Sequence, residues 1–259
     1  MTIRLQTLTI CGTLLTVLLI SPTSTAAETP SPILRTLYNL TGGSDAGVVI
    51  GSGGVLYGTT ALGGTGSSCS GGCGSVFQLS PPTSPGGSWT ATVLHTFIGS
   101  PSDGAGPNGL VIGKGGVLYG TTYYGGAGSC SSPFGPPGCG TVFSLTPPAS
   151  PGGAWIKKTL HNFRGSDGAN PFASVVIGSG GVLYGTTAYG GTSNNGTVFS
   201  LTPPAPVGGP WTEAVLYNFT GTHGSLPEAA VAIGPNGVLY GTTVRGGSSN
   251  NGTVFALKP

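Results

Sequence analysis

The sequence predicts an all-β fold, a β-propeller with four blades of four antiparallel strands. Three observations lead to this prediction. Gly and Pro account for 51 and 22 of the 259 residues, while charged residues make up 5%, against about 25% in an average globular domain. Short segments rich in Val, Thr, Tyr and Phe, which favour strands, recur along the chain. Gly and Pro interrupt these segments every few residues, which indicates many short strands joined by tight turns.

Three recurring segments define four repeats with an average period of about 59 residues. The first contains Leu-Tyr-Gly-Thr-Thr, with copies at 54–60, 116–122, 181–187 and 237–243. The second contains Val-Phe after a glycine, with copies at 74–77, 140–143, 196–199 and 252–255. The third is apolar with a central His or Tyr, with copies at 36–40, 93–97, 159–163 and 215–219. Self-similarity at this spacing is typical of a repeat architecture.

Each repeat is predicted to contain four strands, A to D, and the second repeat shows them most clearly. They are expected at 110–112, 117–122, 141–146 and 155–163. The A–B connection, 113–116, is expected to be a tight hairpin whose glycines supply positive φ. The C–D connection, 147–153, is expected to be irregular because its prolines cannot sit in a central ladder. No segment predicts a helix.

The phase of the repeats predicts a closed ring. The chain begins with a lone D strand, 33–40, and ends after a C strand, 253–257, so the fourth blade lacks its own outer strand. We expect the N-terminal strand to complete that blade. The low charge agrees with this arrangement, because propeller blades are covered by neighbours on both faces. Two chains that join into one eight-bladed ring are the alternative to a four-bladed monomer.

The first 27 residues are predicted to be a secretory signal peptide. Arg4 is their only charged residue, an apolar run extends over 8–20, and small residues precede the expected cleavage after Ala27. The alternative, a membrane anchor, is disfavoured because the run is too short for about 30 Å of hydrocarbon. We therefore expect a secreted or periplasmic protein without a membrane span, with one mature domain at 28–259.

Four of the five cysteines remain after the expected cleavage, which removes Cys11. In an oxidising compartment the simplest expectation is two loop disulfides, Cys69–Cys73 and Cys130–Cys139. A metal site of four cysteines is the alternative. The eight-residue gap in the second pair exceeds the usual spacing of zinc ligands, and no histidine is close in sequence. The sequence therefore predicts neither a metal nor a cofactor.

The repeated motifs also carry a family resemblance. The Leu-Tyr-Gly-Thr-Thr strand, the Gly-Thr-Val-Phe-x-Leu-x-Pro strand and the Asp-Gly-x-x-Pro loop together resemble the GloVer tandem-repeat family of secreted, mostly bacterial proteins. The resemblance covers about 33–259 and recurs four times. It implies a propeller-like fold and carries no established activity. Many members have an Asp and an Asn ahead of Leu-Tyr, whereas three turns here read Ile-Gly-x-Gly-Gly-Val-Leu-Tyr.

The strand order places the B–C and D–A loops on one face, which we call the loop rim. The B–C loops are the variable parts of the repeats, at 61–73, 123–139, 188–195 and 244–251. Loops can vary without disturbing the packed sheets, so a ligand is expected at this rim. The candidate rim residues are Tyr123, Tyr124, Phe134, Tyr189, Arg245, Asp103, Asp167 and His223.

Three aspartates lie at equivalent places in the D–A loops: Asp45, Asp103 and Asp167. A ring of carboxylates would suit calcium, but Asp is also a common turn residue, and His223 takes the position in the fourth repeat. We interpret the aspartates as turn residues and predict no metal there.

Other aromatic and imidazole side chains are interpreted as structural. His95 and His161 share a strand D position with Tyr217 and Tyr38 and are taken as packing residues. The tryptophans that open strand D are expected to cover the outer rim, with glycan stacking as the alternative; they are Trp89, Trp155 and Trp211.

The function predicted from these features is a non-catalytic binding or scaffold module for an extracellular glycan or cell-surface protein. Eight Lys and Arg spread along a chain of net charge +2 form no basic stripe, which excludes nucleic-acid binding. No Gly-x-Ser-x-Gly motif leads into a helix, so no catalytic residue is assigned. The alternative is a polysaccharide hydrolase or lyase that uses Asp103 or Asp167. A purely structural role in assembly is a third possibility.

Overall fold

A computed structural model describes residues 8–10, 13–15, 34–44, 46–66, 68–131, 137–150, 152–206 and 208–259. The chain divides into two compact units, 1–36 and 37–259. In the first unit, β1 (Leu8–Ile10) and β2 (Thr13–Leu15) pair in antiparallel. The rest of the predicted signal peptide, including the expected cleavage site, lies outside the described residues.

Over its described residues, the second unit contains four antiparallel sheets, one for each repeat. The first sheet consists of β3 (Val49–Ile50), β4 (Leu56–Thr60), β5 (Ser75–Ser80) and β6 (Thr90–Thr96). The second consists of β7 (Gly104–Ile112), β8 (Leu118–Gly125), β9 (Thr141–Thr146) and β10 (Ile156–Asn162). The third consists of β11 (Val176–Ile177), β12 (Leu183–Thr187), β13 (Thr197–Thr202) and β14 (Thr212–Asn218). The last has three strands, β15 (Ala232–Ile233), β16 (Leu239–Thr243) and β17 (Thr253–Leu257). The predicted all-β class and the A-B-C-D order are confirmed.

The predicted strand positions in the second repeat are confirmed for strands C and D and corrected for strands A and B. Strand C matches β9, and strand D matches β10 to within one residue at each end. Strand A is predicted at 110–112, but β7 begins at Gly104, because Gly104, Ala105 and Pro107 also pair with β8 ahead of a register shift between Pro107 and Leu110. Strand B is predicted to end at 122, but β8 continues to Gly125 because its last residues pair with the start of β7. Tyr123 and Tyr124 therefore lie at the end of a strand and not in the B–C loop. The A–B turn is tight as expected, with φ of 71° at Gly115. Each A–B turn is a three-residue 3₁₀ helix, and no α-helix occurs in the described part of the chain.

Successive sheets pack on one another through phenylalanines that meet edge to face. Three contacts join the first sheet to the second, the second to the third and the third to the fourth. Their ring centroids are 5.1, 5.1 and 5.3 Å apart, in the pairs Phe97–Phe143, Phe163–Phe199 and Phe219–Phe255. Because sheet faces are buried against neighbours, charged side chains have little place on them. The 5% charge of the sequence follows from this packing.

Tyrosines of strand B meet the tryptophans of strand D in the next sheet. Tyr57 lies 5.8 Å from Trp155, and Tyr119 lies 5.9 Å from Trp211, between ring centroids, again edge to face. Each of these two tryptophans lies just before the outer strand of its own sheet and also contacts the preceding sheet.

The glycine in each Leu-Tyr-Gly-Thr-Thr strand leaves room for the phenylalanine of strand C. In the third sheet Gly185 pairs with Phe199 across β12 and β13. A Cβ on Gly185 would lie 2.5 Å from the ring atom Cζ of Phe199, closer than such atoms can approach. The repeated glycine is thus required by packing.

The predicted closure by the N-terminal strand is not observed. Described residues 34–40 form no strand, and Ile33 lies outside the described residues. Strand β17 pairs only with β16 among the described strands. The outer edge of β17 has no partner among the described strands. Val254, whose side chain lies on a face of this sheet, is 82% exposed. The four sheets are established, whereas a closed ring is not. No helix in the described residues is long and apolar enough to cross a membrane.

Candidate functional site

The B–C and D–A loops contact one another, as the strand order predicts. Ala169, in a D–A loop, forms an antiparallel bridge with Tyr189 in a B–C loop. Ser225 and Arg245 form the equivalent bridge in the last repeat. The backbone N–H of Ser225 donates to the carbonyl of Arg245 at 2.8 Å. The loop rim is therefore one continuous surface within these repeats.

Two disulfides hold the B–C loops of the first two repeats, and both predicted pairings are confirmed. The Cα atoms are 5.2 Å apart in Cys69–Cys73 and 5.0 Å apart in Cys130–Cys139. Cys73 is 1% exposed and Cys139 is fully buried. Since all four thiols are consumed, the alternative of a four-cysteine metal site is wrong.

A cleft of 810 Å³ lies at the loop rim, and three aromatic side chains line it. The Tyr123 ring lies 4.5 Å from Tyr124 and 5.6 Å from Phe172, between centroids. Phe172 is 46% exposed, and both tyrosines are half-buried. Much of the remaining lining is small residues of the first two repeats together with the Cys69–Cys73 disulfide. No acidic or basic side chain lines the cleft among the described residues.

Two asparagine side chains, one buried and one half-buried, fix the aromatic wall of this cleft. The Asn170 side chain donates to the carbonyl of Tyr123 at 2.9 Å. The Asn108 side chain, 7% exposed, donates at 2.7 Å to the carbonyl of Pro171, the neighbour of Phe172. Burial raises the pKa of Tyr123 to about 12. Its phenol therefore stays protonated at neutral pH and can donate a hydrogen bond.

The predicted rim residues divide into several groups. Tyr123 and Tyr124 line the cleft. Tyr189 and Arg245 are exposed in later B–C loops and do not line it. His223 is exposed and lines a smaller cavity of 380 Å³ beside β17. Phe134 lies outside the described residues, and so does Asp45, the first of the three D–A loop aspartates.

Asp103 lies between the first and second sheets and is 5% exposed. Its carboxylate is 3.0 Å from His95 Nε2, and Lys157 Nζ also donates to it. The Gly104 N–H donates to Oδ1 at 2.8 Å. Burial alone would raise the pKa of Asp103, but hydrogen bonds from His95 and Lys157 outweigh burial and lower it. Asp103 is therefore part of a buried ion pair.

Asp167 forms the equivalent cluster between the second and third sheets. His161 Nε2 is 3.0 Å from Asp167 Oδ2, and the Arg164 N–H donates to Oδ1 at 2.8 Å. Burial opposes these hydrogen bonds, yet the pKa of Asp167 is lowered. Glu213 takes the place that Lys157 has in the first cluster, and burial raises the pKa of its carboxyl. Ligand atoms of His161, Asp167 and Glu213 all lie within 4.8 Å of one another.

The third interface lacks this cluster because both partners change together. Tyr217 replaces the histidine and meets Phe219 edge to face, with ring centroids 5.1 Å apart, while the exposed His223 replaces the aspartate. His95 and His161 also meet phenylalanines edge to face, at 4.7 and 4.8 Å, so their packing role is confirmed. Sequence reasoning missed their pairing with aspartate. The signal was that His and Asp occur together in two repeats and disappear together in another.

Sequence reasoning also missed Lys157 and Glu213. Each lies four residues before the central His or Tyr of its strand D, at the same position of the repeat. Charged residues are so scarce in this chain that two of them at one strand position were a usable signal.

Comparison with known families agrees with the repeats. A family model described as the Gloeobacter/Verrucomicrobia repeat matches residues 21–255. This match confirms the family resemblance predicted from the strand and loop motifs. No curated protein matches the chain.

Proposed function

Since the chain belongs to the Gloeobacter/Verrucomicrobia repeat family, we propose that it is an exported, non-catalytic binding module whose loop rim holds an extracellular glycan. The observation that supports this proposal is the cleft of 810 Å³ walled by Tyr123, Tyr124 and Phe172. Its volume falls within the range of small-molecule sites, about 300–1,000 Å³.

The chemistry of the cleft suits an uncharged polar ligand. Aromatic faces provide apolar contact for the C–H faces of sugar rings, and a phenol adds a hydrogen bond at one end. Glycine-rich backbone and the Ser68 and Ser70 residues in the lining offer further polar groups for hydroxyls. The walls are held by hydrogen bonds from the side-chain amides of Asn108 and Asn170, so little ordering would be needed when a ligand binds.

The alternative function, a polysaccharide hydrolase or lyase, would use the carboxylates of Asp103 and Asp167, and both are hydrogen-bonded within the sheet interfaces. Asp103 is 5% exposed and bound by His95 and Lys157. Asp167 is bound by His161 and the Arg164 backbone. Neither aspartate lines the cleft. This geometry favours a binding role over catalysis by these residues.

Export is proposed from the N-terminal pattern and supported by the disulfides. Disulfides form and persist in oxidising compartments, and this chain has Cys69–Cys73 and Cys130–Cys139. We expect cleavage after Ala27, which leaves 28–259 as the mature chain. N-terminal sequencing of the exported protein tests this.

The ring is proposed to close through the N-terminal segment, 33–40. The open outer side of β17 supports this pairing, since an unpaired edge strand invites another strand. The segment also repeats the strand D pattern. In the third sheet Ser200 pairs with Ala214; if the N-terminal segment pairs with β17 in the same register, Arg35 is expected opposite Ala256.

A cysteine pair tests the closure. Arg35→Cys with Ala256→Cys should form a disulfide within one chain, while the control, Arg35→Cys with Val254→Cys, is out of register and should not. A cross-link between two chains, together with a dimeric mass by light scattering, would instead support the eight-bladed dimer. Absence of any cross-link would contradict pairing of this segment with β17.

Titration of the mature protein against a panel of neutral and acidic oligosaccharides tests the glycan proposal. Each lost aromatic contact is worth about 1 kcal/mol, so Tyr123→Ala and Phe172→Ala should each weaken binding about fivefold. Tyr189→Ala is the matched control, because Tyr189 is exposed at the same rim outside the cleft. Binding that is equally affected by all three changes, or by none, would contradict the assignment. Capture of a cell-surface protein that depends on Tyr123 would replace the glycan with a protein ligand.

A further inference from the structure

A second site lies between the second and third sheets, separate from the cleft. We propose that His161, Asp167 and Glu213 bind a divalent transition-metal ion, with zinc as the first ion to test. This inference does not depend on glycan binding.

The three side chains come from different parts of the chain and converge on one point. His161 lies on β10, Asp167 lies in the loop that follows, and Glu213 lies on β14. One nitrogen and two carboxylate oxygens lie within 4.8 Å of one another. Zinc bonds of about 2.0–2.2 Å hold neighbouring ligand atoms about 3.3 Å apart. The distance of 3.0 Å between His161 Nε2 and Asp167 Oδ2 is already close to this. The Glu213 carboxylate, within 4.8 Å of both, would have to change its rotamer to complete the site.

An unpartnered oxygen of Glu213 is an independent observation that points to a cation. The Oε1 atom of Glu213 is buried and has no hydrogen-bond partner in the described part of the protein. A buried carboxylate oxygen without a partner is costly, and coordination to a cation would satisfy it. Side chains of His161 and Asp167 are each 18% exposed. An ion could therefore enter from solvent and keep water in its remaining coordination positions.

The neighbouring interface acts as an internal comparison. There the same arrangement of His95 and Asp103 is completed by Lys157, whose ammonium neutralises the carboxylate. At the second interface the position of that ammonium is taken by a second carboxylate, Glu213. In the first interface the positive charge beside the aspartate comes from Lys157. In the second interface no side chain at this position supplies a positive charge, and a bound cation would do so.

The donor set selects the class of ion. Imidazole favours zinc and other transition metals, whereas calcium prefers a shell of oxygen atoms alone. One nitrogen with two carboxylates is therefore suited to Zn²⁺ and also to Mn²⁺, and less to Ca²⁺.

Calorimetric titration of the disulfide-bonded mature chain, after treatment with a chelator, tests the site with Zn²⁺, Mn²⁺ and Ca²⁺ as separate probes. We expect one zinc ion per chain by native mass spectrometry. At a free zinc concentration a hundredfold above Kd, the melting temperature should rise by about 5–10 °C.

Matched variants locate the site. Glu213→Lys reproduces the interface made by Lys157, so it should fold and pair with Asp167, yet bind zinc at least about 30-fold more weakly. Glu213→Gln removes only the charge and covers the case in which the lysine variant fails to fold. Glu228→Gln is the control for a Glu-to-Gln change elsewhere and should bind like the natural sequence.

Two results would overturn the proposal. One is the absence of zinc binding at 1 mM. The other is equal affinity of the natural chain and Glu213→Gln, which would place any bound zinc at another site.

Discussion

Lys157 and Glu213 occupy the same register position on the outer strands of two successive sheets. Lys157 pairs with Leu145, and Glu213 pairs with Leu201. Each lies beside a histidine–aspartate pair at the interface with the preceding sheet. The repeat therefore provides one backbone position, and its side chain decides whether the interface is completed by an ion pair or by a cluster of potential metal ligands.

The buried ion pair at Asp103 should make stability depend on pH. The side chains of Lys157 and Asp103 are 12% and 7% exposed, and removing one partner of such a pair costs about 3 kcal/mol. We expect Asp103→Asn to lower the free energy of unfolding by this amount at pH 7. The pKa of Asp103 is lowered in the folded state. Its contribution is therefore present above the unfolded pKa of about 3.9 and lost as the pH falls through the folded pKa.

Urea unfolding of the natural chain and Asp103→Asn between pH 3 and pH 8 measures this dependence. The difference between the two should be largest above pH 5 and shrink below pH 4. A difference that stays constant down to pH 3 would show that the carboxylate charge contributes nothing.

Gly185→Ala should destabilise the protein by about 1–3 kcal/mol, because the added Cβ collides with the Phe199 ring. Gly47→Ala is the matched control, since nothing lies within 4 Å of a Cβ built at Gly47. It should change stability by less than about 1 kcal/mol. Chemical denaturation of both variants distinguishes packing from the general effect of replacing glycine. Equal losses would argue against packing as the reason for the repeated glycine.

Phe199→Ala should cost about 3–5 kcal/mol, because Phe199 is fully buried and its ring meets Phe163 across two sheets. Phe172→Ala makes the same chemical change at a residue that is 46% exposed. It should leave the melting temperature nearly unchanged while weakening ligand binding. Thermal unfolding followed by circular dichroism measures both, and a large loss of stability in Phe172→Ala would show that this residue belongs to the core.

Loss of the Cys130–Cys139 disulfide should destabilise the chain by about 2.5 kcal/mol, and loss of Cys69–Cys73 by about 2 kcal/mol. These values are what chain-entropy loss predicts for loops of this length. Paired Cys→Ala variants and peptide mapping by mass spectrometry check the effect and the connectivity. Added reductant should lower the melting temperature of the natural chain but not that of a variant lacking both bonds.

The sequence predicts strand positions well where turn chemistry is local. The C and D strands of the second repeat are bounded by glycines, prolines and tryptophan, and their prediction holds to within one residue. Strand A is longer than predicted because residues before the register shift, including Pro107, also pair with β8. The rule that proline avoids central ladders does not anticipate this pairing. The N-terminal strand was predicted by similarity to the other D strands. Its pairing with β17 is not observed, because strand pairing depends on contacts that no local pattern encodes.

The sequence by itself determined the number and order of the sheets and the face that carries the variable loops, and it made two loop disulfides the simplest pairing of four cysteines. These features follow from a repeat period, from glycine and proline turns and from cysteines only a few residues apart, all of which act over short distances along the chain. Only the tertiary structure decided which side chains meet between sheets. Lys157 reaches Asp103 across 54 residues, and Phe172 reaches Tyr123 from the D–A loop that follows. Such contacts arise from the packing of one sheet on the next, so their partners become neighbours only when the chain is folded.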